Sequence, residues 1–271
     1  MKKRSTKEIK LQAKKALQGH VGTVILGLLA VYGLNTLGTN LFSGTSALDL
    51  VLSEVFMLVV SLIVGIISAG LGYMLLNISR GKEFSLGDLG YFFKNQPDRV
   101  IVAGFVLALI QLVTAIPYYY VSFTTDPGLT VDSQIQWLSM TLGLLAVSTL
   151  LNFLISLPFA MTYFLMADDT ELGGIQALKE SARLMKGNIW RYVKLNLSFI
   201  PLLLLSVFTF YIALFWIMPY MEMSMVAFYR DLDGELDYRL PGDGTADGGF
   251  HNWTNDSGNG YDTENNDGYR N

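Results

Sequence analysis

The sequence predicts an all-α fold, a polytopic bundle of transmembrane helices, and two observations carry that prediction. Of the 271 residues, 51% are hydrophobic and only 15% are charged, whereas a soluble globule carries about a quarter charged residues. The uncharged residues are gathered into blocks long enough to cross a bilayer, which takes about 20 apolar residues per helix. The chain is therefore predicted to be a membrane protein and not a soluble domain with a large core.

The first element, residues 1–20, is a basic segment with seven lysines and arginines against one acid, Glu8. Ile9, Ala13, Ala16 and Leu17 fall at helical spacing, which predicts an amphipathic helix with its apolar side toward the lipid. A basic tail that only sets the topology is the alternative. The hydrophobic run that follows exceeds the ~7–15 residues of the hydrophobic region of a signal peptide, so we expect it to be retained as a transmembrane helix.

The transmembrane domain is predicted to cover residues 21–229 in six spans, at about 21–42, 51–76, 100–121, 138–167, 190–207 and 211–229. Pro158 predicts a kink in the fourth span, and Pro117 with the three tyrosines after it marks the far end of the third. The last 43 residues of this domain, Gly187 to Tyr229, fit two short helices with a reversal near Phe208–Tyr211. They also fit one tilted span followed by an interfacial helix, which gives five spans.

The distribution of basic residues predicts the topology. The N-terminus and the loops 77–99 and 168–194 hold sixteen of the nineteen lysines and arginines, and the connections 43–50 and 122–137 hold none. The positive-inside rule places the N-terminus and both basic loops in the cytoplasm. Residues 230–271 form an acidic tail that is expected to be disordered, inside with six spans and outside with five.

The clearest motif is the basic, half-apolar stretch Glu180–Asn188, and a fainter copy runs from Ala13 to His20. Both read as surface helices that end at a glycine before a hydrophobic run. The chain is therefore interpreted as three similar units, each a surface helix plus a hairpin, although chance likeness among apolar segments is the alternative. Anionic lipid or a protein partner is expected at this motif, and nucleic acid is not. The candidate contacting residues are Arg183, Lys186, Gly187, Arg191 and Lys194.

The residues that support catalysis are scarce. There is no cysteine, and neither of the two histidines has a partner at zinc-ligand spacing. Asp168, Asp169 and Glu171 could bind a divalent cation, but a helix stop followed by an acidic helix start explains them. We therefore expect no catalytic residue, metal or cofactor, and no enzyme. Gln111, Asn152 and Asn196 are the candidate polar contacts within the membrane, and no mid-membrane carboxylate is expected.

The strings Ser181–Asn188 and Leu195–Ile200, with Pro219-Tyr220 and Phe228-Tyr229, resemble a family of bacterial integral membrane proteins, domain of unknown function 975, over residues ~5–232. In that family Gly-Trp commonly follows Ser-Phe-Ile, and a glycine-rich break precedes Pro-Tyr. Here Pro201 and Leu202 follow Ile200, and Thr209 lies in the break region. The resemblance implies a helical fold and a place in the bacterial cytoplasmic membrane, and it implies no reaction.

Two hypotheses for function follow. The leading one is a non-enzymatic interaction or accessory component whose basic cytoplasmic helices contact anionic lipid or a membrane protein partner. The second is a small permease or export factor working between the three hairpins. An aqueous path lined by Gln111, Asn152 and Asn196 would favour the second hypothesis.

Overall fold

A computed structural model describes residues 3–40 and 47–238, and these residues form helices and turns without strands. Four segments are long and apolar enough to cross a membrane: 52–80, 97–122, 131–168 and 189–208. The bent pair Thr6–Leu17 and Val21–Thr36 would make a fifth. The protein is thus a helical membrane protein with four to five candidate spans, and the sixth predicted span, at 211–229, is not confirmed. That stretch is helical, but it contains Glu222 and runs on into the charged pair Arg230-Asp231.

The first unit consists of a short helix that meets a long one at a bend of 100°, followed by a return helix. These are α1 (Thr6–Leu17), α2 (Val21–Asn40) and α3 (Ala47–Arg80). Ser5 caps α1, because its hydroxyl accepts from the backbone N–H of Glu8 while the Glu8 carboxylate accepts from the backbone N–H of Ser5. Residues 43–46 of the predicted connection at 43–50 lie outside the described residues, and its second half belongs to α3.

The second unit begins with a single turn of 3₁₀-helix, Leu86–Gly90, and continues as α4 (Tyr91–Lys94), α5 (Pro97–Thr124) and α6 (Val131–Ser156). Helix α5 runs through Pro117, and its candidate span ends at Ser122, just after the three tyrosines and close to the predicted end at 121. The kink at Pro158 is confirmed: a 3₁₀ turn, Leu157–Phe159, separates α6 from α7 (Thr162–Asp168). A proline N has no proton to donate, which breaks the ladder at this point.

The third unit consists of α8 (Gly174–Met185), α9 (Ile189–Leu197), α10 (Ile200–Phe208) and α11 (Leu214–Leu232), and the short α12 (Glu235–Tyr238) follows. The chain reverses between α10 and α11, close to the predicted position. Phe210 and Tyr211 have φ of 49° and 64° there, so two aromatic residues adopt the left-handed conformation that glycine adopts without strain. The first residues of the predicted disordered tail, 230–238, instead complete α11 and form α12. From residue 239 onward the tail lies outside the described residues.

The three units share one backbone feature. A residue with positive φ stands between each surface helix and the long helix after it: Gly19 at 83°, Gln96 at 52° and Gly187 at 76°. In addition, α1 and α8 bury the same face in the same register relative to that glycine, Ile9, Ala13 and Leu17 in one helix and Ala177, Ser181 and Met185 in the other. The likeness of the two motifs therefore extends from sequence to packing.

The apolar face of α1 was expected to lie on lipid, and this expectation is wrong. Ile9, Ala13 and Leu17 are buried in the protein core, and α1 packs chiefly on α11. The face is narrow and consists of small and medium side chains, which suits a neighbouring helix. Lys7, Lys14 and Lys15 of α1 are exposed.

The core is concentrated at the end of the bundle where α3, α7 and α11 finish, which we call the basic end. Met74, Leu75, Phe92, Met166 and Phe228 are all buried there. The far halves of α5 and α6 instead expose their leucines, isoleucines and valines, as helices in contact with lipid do. Close helix contact at the basic end depends on small residues. Gly70 of α3 is one example, since it lies against the backbone of Asp88 and Leu89.

Replacing Gly70 by alanine is expected to lower the free energy of unfolding by about 1–3 kcal/mol. The new Cβ would lie 2.3 Å from the carbonyl oxygen of Leu89, a backbone atom that cannot rotate away. Thermal unfolding of the purified protein in detergent measures the effect. Gly143→Ala is the matched control, because this glycine of α6 has nothing within 4 Å of its would-be Cβ. Equal midpoints for the two variants would contradict the close approach.

Candidate functional site

The return helices of the three units meet in an ion-pair arrangement at the basic end. Arg80, the last residue of α3, donates from both terminal nitrogens to Asp168, the last residue of α7, at 2.6 and 2.9 Å. The hydroxyl of Tyr229 on α11 donates to the same carboxylate at 2.9 Å. Asp168 therefore joins the ends of α3, α7 and α11, and its carboxylate is committed to these partners.

Glu235 of α12 forms the second node. Arg80 donates to its Oε2 at 3.0 and 2.9 Å, and Arg230 donates to its Oε1 at 2.8 Å. The other terminal nitrogen of Arg230 donates to the carbonyl and the hydroxyl of Ser79, at 2.7 and 2.6 Å. Helix α12 is thus bound to the ends of α3 and α11 through charge-assisted hydrogen bonds, which are the strong ones.

Asp231 forms the third node, and its side chain is only 1% exposed. Arg4, just before α1, donates to its Oδ1 at 3.1 Å, and Arg191 of α9 donates to its Oδ2. Arg191 also donates to the backbone carbonyl of Arg4 at 2.9 Å, and Arg4 donates to Asp237 at 3.0 Å. We call this set the ionic cluster, and its members are Arg4, Arg80, Asp168, Arg191, Tyr229, Arg230, Asp231, Glu235 and Asp237.

The cluster sets the charge state of its carboxyl groups. Burial by itself would raise the pKa of Glu235, but hydrogen bonds from Arg230 and Arg80 outweigh burial and lower it. Burial raises the pKa of the neighbouring Asp233, and the negative charges of Asp168 and Glu235 raise it further. The Glu235 contribution to stability is therefore present at neutral pH and is lost as the pH falls through its lowered pKa, while Asp233 acts in the opposite direction.

Two further cations satisfy backbone carbonyls where helices end. Arg99 of α5 is 5% exposed and donates to the carbonyls of Met166, Asp169 and Leu172 at 2.8–3.2 Å, around the end of α7. Lys10 of α1 donates to the carbonyl of Ser198 at 3.0 Å and lies 3.7 Å from the centre of the Phe199 ring. Burial lowers the pKa of Lys10. Both residues fix the positions of helix ends.

Ser181 in the central motif has a similar backbone role. Its hydroxyl accepts from the backbone N–H of Met161 at 3.1 Å and donates to the carbonyl of Pro158 at 2.8 Å. These are groups that the break between α6 and α7 leaves without helical partners. The motif thus supports the kink in the neighbouring unit.

The five residues expected to contact lipid or a partner occupy two different environments. Arg183 is exposed and pairs with Glu180 at 2.7 Å, Lys186 is exposed, and the exposed Lys194 lies 5.5 Å from the Trp190 ring. Arg191 instead belongs to the ionic cluster, and the carbonyl of Gly187 accepts from Lys3 at 3.5 Å. The structure therefore brings Arg191 into contact with Asp231 and leaves the other side-chain cations of the motif at the surface.

The three intramembrane polar residues are not brought together by any described hydrogen bond. Asn152 of α6 donates to the hydroxyl of Thr114 on α5 at 3.2 Å, which is a contact between helices. Asn196 donates to the carbonyl of Tyr192 in its own helix at 2.9 Å, and Gln111 is exposed.

The lysine and arginine side chains differ in their exposure to the surface. Nine of the ten described lysines are exposed, and Arg183 is the one exposed arginine among the six described. Next to the lysines the surface helices expose large apolar side chains: Leu11, Phe93, Ile175 and Trp190 are 46–64% exposed. The outer surface of the basic end therefore alternates positive charge with apolar side chains.

A carboxylate that the sequence analysis passed over is Glu222, in the middle of α11. It is the single charged residue between Lys194 and Arg230, and it falls in the middle of the predicted sixth span, where no mid-membrane carboxylate was expected. Its isolation in an apolar helix was the signal that could have found it. Residues 3–40 and 47–238 contain no group of three or more histidine, cysteine, aspartate or glutamate side chains placed to hold a metal ion.

A family profile described as "Protein of unknown function (DUF975)" matches residues 1–235. The match covers all three units and ends at Glu235, the first residue of α12, which joins α3 to α11. No curated protein and no solved structure matches the chain.

Removing the guanidinium of Arg80 is expected to destabilise the fold strongly. Arg80→Ala leaves Asp168 and Glu235 without a main partner at the centre of the cluster, and breaking a buried ion pair costs about 3–5 kcal/mol. Arg183→Ala removes an equally short pair whose arginine side chain is 71% exposed, and it should cost no more than about 1 kcal/mol. Thermal unfolding in detergent compares the two variants. Similar midpoints would show that the cluster does not hold the helix ends together.

Proposed function

The chain belongs to the DUF975 family of proteins of unknown function, and from this premise we propose that it is a non-enzymatic accessory component of the bacterial cytoplasmic membrane. In this proposal its basic end faces the cytoplasm and binds the anionic headgroups of the inner leaflet. The observation that carries the proposal is the separation of the cations: five of the six described arginines form hydrogen bonds inside the basic end, and nine of the ten described lysines are exposed on its surface. A surface of lysines flanked by exposed apolar side chains suits the headgroup layer.

The physical chemistry of the two side chains supports this division. A guanidinium presents a rigid fork that fits carboxylates and carbonyls, so it suits the fixed internal contacts of the cluster. An ammonium is a flexible point charge that stays hydrated, so it suits exchangeable contact with lipid phosphates. Each lysine near an anionic surface adds about 1 kcal/mol of attraction.

The same geometry supports a role without catalysis. Asp168, which the sequence analysis considered as a metal ligand with Asp169 and Glu171, is bonded to Arg80 and Tyr229. The other carboxylates of the cluster are likewise directed at arginines. Titratable groups that saturate one another in this way hold helices in place.

A small permease is the second candidate, and one observation favours it. Glu222 places an ionisable group in the apolar part of the third hairpin, where groups of this kind serve ion or proton movement. The polar residues that were expected to line a path do not add to this support, because Asn152 and Asn196 are each bonded elsewhere.

The orientation can be tested with single cysteines, since the chain has none of its own. Leu129→Cys lies in the loop between α5 and α6, at a fully exposed position, and Lys94→Cys lies at the exposed end of α4. In intact cells a membrane-impermeant maleimide is expected to label the cysteine at 129 and to reach position 94 only after permeabilisation. The reverse pattern would contradict a cytoplasmic basic end.

The lipid contact can be tested by comparing stability in nanodiscs of phosphatidylglycerol and of phosphatidylcholine. Phosphatidylglycerol is expected to raise the unfolding midpoint of the natural chain, and combined replacement of Lys7, Lys14, Lys186 and Lys194 by glutamine should remove most of that gain. The gain corresponds to at most about 4 kcal/mol, at ~1 kcal/mol per lysine.

Replacing the same four lysines by arginine keeps the charge and is the matched control, so it should keep the gain. Equal midpoints of the natural chain in the two lipids would overturn the proposed lipid contact. A protein that co-purifies through the four lysines, with no effect of lipid, would move the role to a protein partner.

A further inference from the structure

Glu222 is placed where a carboxylate is costly. It precedes Arg230 by eight residues on α11, which puts it about 12 Å along the helix from the ionic cluster. Its neighbours in sequence are methionines, at 218, 221, 223 and 225. Its side chain is partly buried, while Met223 and Ser224 beside it are fully buried.

Among residues 3–40 and 47–238, no hydrogen bond or ion pair reaches the Glu222 carboxylate, in contrast to the carboxylates of the ionic cluster. Two titratable groups that interact with it electrostatically are the phenols of Tyr32 on α2 and Tyr192 on α9. Neither phenol carries a positive charge that could balance an ionised carboxylate.

Among the described residues, no charged side chain of the other helices that pack on α11 is paired with Glu222. Lys10 of α1 is engaged with Ser198 and the Phe199 ring. The charged residues of α3 are confined to its ends, with Arg80 in the cluster, and α10 contains no titratable residue. Within α11 the next titratable groups are Tyr220, whose ring packs edge-on against Phe199, and Tyr229, bonded to Asp168.

An ionised carboxylate in such a position loses several kcal/mol of hydration without compensation, and the usual outcome is uptake of a proton. A hard metal cation is a poor alternative, because it takes six or more oxygen ligands, and Glu222 with two phenols supplies four. We propose that Glu222 is a proton-binding site within the bundle, with the hydroxyls of Tyr32 and Tyr192 as its polar neighbours. The site is distinct from the lipid-binding surface of the basic end, and it binds its proton whether or not that surface binds lipid.

Dicyclohexylcarbodiimide tests this proposal, because it is apolar and reacts with protonated carboxyl groups. Membranes that contain the natural chain are treated with the reagent between pH 5 and 9, and the adduct is located by peptide mass spectrometry. Labelling is expected at Glu222 and should fall as the pH rises, by about tenfold per pH unit once the carboxyl is mostly ionised. Glu222→Gln should lose the adduct, and Glu54→Gln, which alters the other glutamate of the apolar helices, should retain it.

A water-soluble carbodiimide with an added amine provides the counterpart. It should modify the exposed Glu171 and leave Glu222 unmodified. Modification of both residues to the same extent would show that Glu222 is an ordinary surface carboxylate and would overturn the proposal. Absence of the dicyclohexylcarbodiimide adduct from Glu222 across the whole pH range would overturn it too. Both measurements use the natural chain, so they stand even if Glu222→Gln fails to fold.

Discussion

The pairing of Arg80 with Asp168 is the interaction on which the arrangement of the three units depends. Helices surrounded by lipid gain little from hydrophobic association, so packing and polar contacts decide their relative positions. Arg80 and Asp168 are the last residues of two return helices, and Tyr229 and Arg230 bring in the third. Because each bond is made at a helix end, a slip of one residue along any of these helices would separate the partners. The cluster therefore fixes both the register and the neighbours of the hairpins.

The same constraint explains why the positive charges at the basic end separate into two populations. The closing of three helix ends on one another leaves carbonyls and carboxylates that need several donors in a fixed geometry, and the guanidinium supplies them. Lysines are not used in this way, apart from Lys10. They remain on the outer faces of α1, α4, α8 and α9, beside exposed apolar side chains. A surface of that kind is left over by the internal packing, and it is what the membrane or a partner meets.

Much of this fold could be predicted from hydropathy and from helix-breaking residues. Long apolar runs, Pro158 and the glycines at 19 and 187 each determine the structure of their own segment. What could not be predicted is which cations turn inward. Arg183 and Arg191 stand eight residues apart in one basic stretch, yet only Arg191 meets Asp231, a partner forty residues later whose position depends on the reversal at Phe210-Tyr211. A contact between residues so far apart in sequence produces no periodic pattern from which it could be predicted. The face of α1 was misassigned for the same reason, since a stripe of Ile9, Ala13 and Leu17 suits either lipid or a helix.

Glu222 differs from these cases because its sequence signal is strong and its partner is missing. Every carboxylate in the ionic cluster has an arginine within hydrogen-bonding distance, which compensates for its lost hydration. Glu222 lies on the same helix as Asp231 and lacks that compensation within the described residues. A glutamine of nearly the same volume would fill the position without the cost of a charge. An unpaired ionisable group in an apolar helix is therefore the feature on which the proposed proton site rests, and that site is separate from the architecture of the basic end.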